Sequence, residues 1–370
     1  MDAHPRRRRP DRTRTHPGRA HRRPRGPHGG RRVVTLVLAS TEIADLLSGV
    51  DAFAAVEAVH ADLGTGAMAQ PAPVTLAGSD DTVFLPMAVR SDRLGLAAVK
   101  LMADVPGNTA RGLPSQRSTI VVSSVETGEC VAVLDGAMIT RVRTAAASAV
   151  ATRHLARPDS RVLGLVGAGN LAVEHVRALR AARVAPQLDH VVVWSRSSST
   201  VDRFVAAVGD SAPGLAVTVV DDVRTVVESS DVLCTLTPSV EPIVRGAWLH
   251  AGQHVNAVGA RPRPTHRELD GAAMARGTLV VDGAATARAK SGDLLEALRE
   301  GALPTDTRLR ELGEIVAGIA PGRVSAHEVT VFDSVGLAAQ DLAVAAAVID
   351  LARARGVGDE HRLAPVAVSA

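Results

Sequence analysis

Arg161-Val-Leu-Gly-Leu-Val-Gly-Ala-Gly-Asn-Leu-Ala172 is the stretch whose reading decides the fold. Val162 to Val166 is a short apolar run of the kind that forms a fully buried parallel strand. It enters Gly167-Ala-Gly169-Asn170-Leu171-Ala172, a G-x-G-x-x-A turn, after which Val173, Val176 and Leu179 recur at helical spacing. Strand, glycine turn and helix in this order form a dinucleotide fingerprint. Gly167 permits the tight turn, Gly169 lets the backbone approach a pyrophosphate, and Ala172 lets the helix pack close to the sheet. The helix N-terminus, with its unpaired N–H groups, favours the anion.

Outward from this stretch, apolar segments recur at 190–194, 215–220, 231–237, 254–258 and 278–282, with helical segments between most of them. That alternation predicts a doubly wound parallel sheet. Ligands of such sheets bind outside the carboxyl ends of the strands. Those ends are Gly167, Ser195-Arg196, Thr235 to Thr237, and Gly259 to Arg261. The second strand ends without the Asp or Glu that would hold a ribose 2′-hydroxyl. Arg196 between serines suits a 2′-phosphate, so the cofactor expected is NADP, with NAD possible.

The segment before the fingerprint reads as α+β. Residues 33–38 are strand-like, Ser40 or Thr41 is placed to cap a short helix, and Asp51 caps a second one that ends at Gly64. Residues 82–86 and 94–102 read as strands, and 118–123 with 130–134 as a hairpin. A long Ala-rich helix is expected over 141–155 and another over 337–355. The domains expected are 33–143 plus 320–356 for substrate binding and dimerisation, and 144–319 for the dinucleotide, with 357–370 a flexible C-terminus. Residues 1–32 hold twelve arginines, two aspartates and almost nothing apolar, and are expected to be disordered.

Composition narrows the function classes. Removing that arginine-rich segment leaves 30 basic and 37 acidic residues, so the folded body is acidic and is not expected to bind nucleic acid. Aromatics are 2% with no Tyr, which leaves little for base stacking and builds the core from Ala, Val and Leu. No charge-free apolar run reaches the length of a membrane span. Cys130 and Cys234 sit in apolar segments and read as free thiols of a cytoplasmic protein. No metal spacing is present, and the scattered histidines read as structural or surface groups.

Two cations stand out. Lys100 lies in an otherwise apolar strand. Either its stem is buried at a sheet edge with the head in water, or its ammonium is aimed at an anionic substrate. Arg143 sits near the start of an Ala-rich helix, where a cation opposes the helix dipole, which suggests bidentate binding of a carboxylate or phosphate.

Val105-Pro-Gly-Asn108, Arg111-Gly-Leu-Pro114, Glu126-Thr-Gly128, Leu134-Asp-Gly136, Ile139-Thr-Arg-Val-Arg-Thr-Ala-Ala146, His254-Val-Asn-Ala-Val-Gly259, Arg267-Glu-Leu-Asp270, Ser291-Gly-Asp293 and Phe332-Asp-Ser-Val-Gly-Leu-Ala338 surround the glycine turn. Together they resemble the ornithine cyclodeaminase/mu-crystallin family over residues 35–356. The resemblance implies a homodimer with a Rossmann-type doubly wound sheet inserted in an α+β substrate and dimerisation domain. It implies hydride chemistry on a small amino or imino acid, with Lys100 and Arg143 gripping the substrate. It implies cofactor contacts from Ser115, Gly167, Gly169, Asn170, Leu171, Ser195, Arg196, Ser197, Thr237, Val258, Gly259, Ala260 and Ser334. Trp194-Ser-Arg-Ser197 is similar to the Trp-Asn-Arg-Thr run of the NADPH-binding mu-crystallin branch. Three positions depart from the family pattern. Arg261 stands where cyclodeaminases carry a catalytic Asp, Val74 where an Arg is frequent, and Leu171 where a Gln is usual. A cation at 261 cannot accept a proton from ornithine, so the expected activity is an NAD(P)H-dependent reductase of a cyclic or N-substituted α-imino acid. Ornithine cyclodeaminase activity and non-catalytic small-molecule binding are the alternatives.

Overall fold

A computed structural model describes residues 34–181 and 184–363. The arginine-rich segment 1–32 lies outside the described residues. Alternating apolar residues build a first, mixed sheet: β1 (Thr35–Leu38), β2 (Met68–Ala69), β3 (Leu76–Ala77), β4 (Val83–Ser91), β5 (Leu96–Asp104), β6 (Gln116–Ser124) and β7 (Cys130–Asp135). Strands β4 to β7 run antiparallel in sequence order, and β1 lies parallel to β7. Leu85, Met87, Val89, Ala98, Ile120, Val122 and Leu134 point to one face and are buried there, as the two-residue period requires.

Helices α1 (Ser40–Leu47), α2 (Ala52–Gly64) and α3 (Ala137–Leu155), with a C-terminal helix Ala338–Arg355, pack on that face. Asp51 caps α2 by accepting from Ala54 N–H at 3.0 Å, as expected. The start of α1 differs: Ala39 is its N-cap, no side chain caps the first-turn N–H groups, and Glu42 instead reaches back to accept from Ala39 N–H at 2.8 Å. Helix α3 and the C-terminal helix bury many Ala side chains, and small residues let backbones approach closely. Gly64 lets α2 approach the short helix Leu312–Val316, because a Cβ there would lie 2.1 Å from Gly313 O.

The second sheet is parallel throughout: β8 (Val162–Val166), β9 (His190–Trp194), β10 (Ala216–Val219), β11 (Val232–Thr235), β12 (His254–Ala257), β13 (Thr278–Val281), β14 (Arg310–Glu311) and β15 (Thr330–Asp333). Its order is β10-β9-β8-β11-β12-β15-β13-β14. The strand order reverses between β8 and β11, where a doubly wound sheet opens a ligand crevice. Helix α4 (Asn170–Ala181) follows β8.

Three features depart from the sequence reading. Residues 330–333, grouped with the first region, form β15, which fills the place between β12 and β13. Asp359–His361, read as part of a flexible end, pairs antiparallel with β1. Helix α3 begins at Ala137 rather than 141 and runs across the expected boundary at 143/144. Arg143 therefore sits in the second turn of α3, where the dipole argument weakens.

Phe332, fully buried in β15, belongs to the first core although its strand belongs to the second sheet. Phe332→Ala is expected to cost about 3–5 kcal/mol of stability in denaturant unfolding. A loss below about 1 kcal/mol would contradict this packing.

Candidate active site at the carboxyl edge of the parallel sheet

The glycine turn has the shape that its sequence demands. Gly167 takes φ +110°, and a Cβ on it would lie 2.9 Å from Leu236 O. A Cβ on Gly169 would meet no protein atom within 4 Å, so the backbone there faces open space at the start of α4. Asn170 is exposed, Leu171 half-buried and Ala172 fully buried against the sheet. This cradle fits a dinucleotide pyrophosphate. Beside it Ser195 is half-buried, and Arg196 and Ser197 are exposed at the end of β9. Ser197 caps the following helix by accepting from Thr200 N–H, which leaves Arg196 with no ion-pair partner among the described residues. Ser115 lies farther off in sequence, half-buried in the loop ahead of β6.

The strand ends that would face the nicotinamide half are tied together by Glu268, a residue the sequence reading did not single out as functional. Its carboxylate accepts from Thr237 N–H (2.6 Å), Thr237 Oγ1 (2.7 Å), Thr235 Oγ1 (2.7 Å) and Gly259 N–H (2.8 Å). Gly259 is forced by the same approach, since a Cβ would fall 2.2 Å from Thr237 N. Val258 and Ala260 flank it, both half-buried. Ser334 closes the edge: its N–H donates to Ala257 O at 2.9 Å and its hydroxyl to Asp282 Oδ2 at 3.1 Å. Burial, reinforced by the charge of Asp293, pushes the Glu268 carboxyl up to about 7.

Lys100 is not at a sheet edge. It lies on β5 between β4 and β6 and is 1% exposed. Its Nζ donates to Thr140 Oγ1 (2.6 Å) and to Asp341 Oδ1 (3.0 Å). Arg143 donates through Nε to the same Asp341 oxygen (3.1 Å) and through Nη1 to Gln340 Oε1 (2.9 Å). One carboxylate thus holds both cations, and its second oxygen, Oδ2, is buried without a partner. Desolvation lowers the Lys100 ammonium to about 8, against the opposing pull of Asp341 and with the help of Arg143. The loop after β15 ties this cluster to the cofactor edge. Gly336, at φ +89°, donates to Asp282 Oδ2 at 2.6 Å, and a Cβ on it would lie 2.6 Å from Arg143 Nη1.

Asp341 escaped the sequence reading because it is one polar residue in an alanine-rich helix, 241 positions from Lys100. Arg261 does not stand alone either. Its Nη1 lies 3.3 Å from Asp104, and Arg263 donates to Asp104 at 2.7 and 3.0 Å. Two buried histidines make only protein contacts. Buried His175 bridges Leu171 O and Ser148 Oγ, and buried His254 contacts Thr330 and Asn256.

Two outcomes follow for the cofactor edge. Glu268 is protonated below about pH 7, which removes an acceptor from the Thr237 and Gly259 loops. NADPH affinity, measured by fluorescence titration from pH 5.5 to 8.5, is expected to fall on the acid side and to fall less steeply around pH 7 in Glu268→Gln. The same pH slope in both proteins would contradict the role of Glu268. For Arg196→Ala, loss of a charge-assisted contact is expected to weaken NADPH about 10-fold or more while NADH changes less than about 2-fold. Equal loss for both nucleotides would remove Arg196 from 2′-phosphate recognition.

Comparison with known proteins agrees with this geometry. Residues 33–356 match the model of the ornithine cyclodeaminase/mu-crystallin family. An alanine dehydrogenase of Archaeoglobus fulgidus is 33% identical over 326 residues, covering 88% of this chain and 98% of that protein. The Δ1-pyrroline-2-carboxylate reductase of Thermococcus litoralis, solved with NADH and L-proline, superposes with a TM-score of 0.81 at 31% identity, covering 88% of this chain and 99% of that one. An archaeal alanine dehydrogenase dimer with bound NAD superposes with a TM-score of 0.83 at 32% identity, over 89% and 99% of the two chains. With the glycine cradle, the strand edge and the matching of 33–356 in agreement, the chain belongs to the ornithine cyclodeaminase/mu-crystallin family.

Proposed function

We propose that this chain is an NAD(P)H-dependent reductase of a small α-imino acid, with amino-acid dehydrogenation as the reverse direction. The observation that carries the reading is the buried set Lys100–Asp341–Arg143 joined by Gly336 to the cofactor edge. The nicotinamide, when bound, supplies hydride to the imine carbon. Gly167, Gly169 and the start of α4 hold its pyrophosphate, and Arg196 between Ser195 and Ser197 favours NADP. Ser115, Asn170, Leu171, Thr237, Val258, Gly259, Ala260 and Ser334 shape the rest of the cofactor's bed.

The protein's residues supply the remaining chemistry. Asp341 offsets one of the two positive charges, and Asp282, which interacts with Arg143, tempers the other, while both cations keep N–H donors for a substrate carboxylate. Lys100 spends two of its three N–H bonds on Thr140 and Asp341, and the third remains for the ligand. With its pKa lowered to about 8, the ammonium is charged at neutral pH yet able to release a proton to the imine nitrogen. Asp341 Oδ2, buried and unbonded, is an acceptor for an N–H of the iminium or product amine. Fixed groups in a dry site need no rearrangement as charge develops, which lowers the barrier.

Ornithine cyclisation with loss of ammonia fits less well. Arg261 is engaged with Asp104 and cannot act as a base. A dimer is supported by the outer face of the first sheet, where Phe84, Val99, Leu101 and Val121 are exposed together. Residues 33–143 with the C-terminal helix form its substrate and dimer region, and the segment from 144 to 319 with β15 its dinucleotide region. Among the described residues no helix is long and apolar enough to cross a membrane.

The test is NADPH oxidation with 2-oxo acids plus ammonia or methylamine and with cyclic imino acids. Activity is expected with at least one imine, and Lys100→Met is expected to lower kcat/KM by about 100-fold or more. The wild-type reductive kcat/KM is expected to fall as pH rises through about 8, where Lys100 loses its proton. Ammonia and proline from ornithine, with no imine reduced, would overturn the proposal.

A further inference from the structure

We infer that His60 is a positioning residue for the substrate grip: its ring accepts the Gln340 amide N–H and so keeps the Gln340 oxygen on Arg143. The inference rests on the reading of Arg143 as the arginine that holds the substrate carboxylate, and it names what fixes that guanidinium.

Gln340 lies in the first turn of the C-terminal helix, beside Asp341, and is fully buried. Its amide has an accepting end and a donating end, and its neighbours leave it one orientation. Arg143 Nη1 (2.9 Å) and the Leu337 N–H (3.2 Å) both face Oε1. Both are donors without accepting capacity, so the atom between them is the carbonyl oxygen. The amide nitrogen then points the other way, to His60 Nε2 at 3.1 Å. Among the described residues no other acceptor reaches that NH2 group.

An amide NH2 only donates, so His60 Nε2 is the bare, accepting nitrogen and the ring proton sits on Nδ1. His60 is fully buried in α2, and its Nδ1 has no hydrogen-bond partner among the described residues. Such an orphaned group is costly and uncommon. The other tautomer is worse, because it leaves Nδ1 unpaired as well and sets N–H against N–H at Gln340. The imidazolium makes the same clash. Burial lowers the His60 pKa to about 4, so the ring is neutral at working pH.

The same amide decides where Arg143 points. Its Nε is bonded to Asp341 and its Nη1 to Gln340, while Gly336 lies close against the guanidinium. Arg143 Nη2 makes no hydrogen bond to the protein among the described residues, so its N–H groups are the ones left for a substrate carboxylate. Without the His60 acceptor, the Gln340 NH2 is stranded in a dry site. The amide then turns toward another acceptor, its oxygen leaves Nη1, and Arg143 is held from one side only.

The experiment has two arms, both on the full chain. In the first, protein labelled with 15N-histidine is followed by long-range 1H–15N NMR, and the signals that His60→Gln removes identify the His60 ring. A proton on Nδ1 and a bare Nε2 are expected at neutral pH. A proton on Nε2, or on both nitrogens, would overturn the inference. In the second arm, NADPH oxidation is followed with pyruvate plus methylamine and with cyclic imino acids. His60→Phe keeps a ring but no acceptor. It is expected to raise the KM of the imino acid about 10-fold or more, with kcat changed less than about 3-fold and NADPH affinity within about 2-fold. His60→Gln places a side-chain oxygen where Nε2 stood, and is expected to bring KM back to within about 3-fold of wild type. Thermal melting confirms that each variant folds. An unchanged KM in His60→Phe, or equal losses in His60→Phe and His60→Gln, would reduce His60 to a packing residue and overturn the inference. If the wild type reduces no imine, the reductase reading fails, and the NMR arm still decides the orientation of Gln340.

Discussion

One carboxylate, Asp341, holds Lys100 and Arg143 together inside the protein, and the geometry of the site depends on it. All three side chains are nearly or fully buried. Two cations at this proximity would repel strongly in a low dielectric without the anion between them. Three distant parts of the chain meet there: β5 brings Lys100, α3 brings Arg143, and the C-terminal helix brings Asp341. The C-terminal helix can reach that position because it lies buried against α2, α3 and the first sheet through small alanines and a few larger apolar residues. The chemistry and the alanine-rich packing are parts of one arrangement.

Glu268 plays a comparable part on the cofactor side. Its four accepted hydrogen bonds set the relative positions of the loops after β11 and β12. Behind it, Asp293 accepts from the Glu268 and Leu269 N–H groups, and Asp333 accepts from Ser291. Burial raises the pKa of Glu268, Asp282, Asp293 and Asp333 alike. Acids with raised pKa are concentrated beneath the strand ends, at the edge a dinucleotide would occupy.

The parallel sheet was legible because its code is local. A glycine turn after an apolar run fixes β8 and α4, and each later strand in its expected list falls within about two residues of the run that signalled it. The partnerships were not legible. Nothing near Lys100 in sequence names Asp341, and nothing near Arg261 and Arg263 names Asp104. Residues 330–333 were grouped with the first region by position, and a four-residue segment does not say which sheet has a vacancy. The pairing of 359–361 with β1 rests on backbone hydrogen bonds between exposed polar residues, which leave no hydrophobic pattern. Motifs located the site, whereas long-range electrostatics completed it.

The central claim is that Lys100, Asp341 and Arg143 present an imino acid for net reduction. The most direct measurement supplies NADPH carrying deuterium at both nicotinamide C4 positions, with pyruvate and methylamine or with a 2-oxo acid and ammonia. The amino acid formed is then read by mass spectrometry. The account predicts one deuterium at the α-carbon, one NADPH consumed per product, and loss of both in Asp341→Ala. Product formed without deuterium, or the same labelled yield from Asp341→Ala, would contradict it.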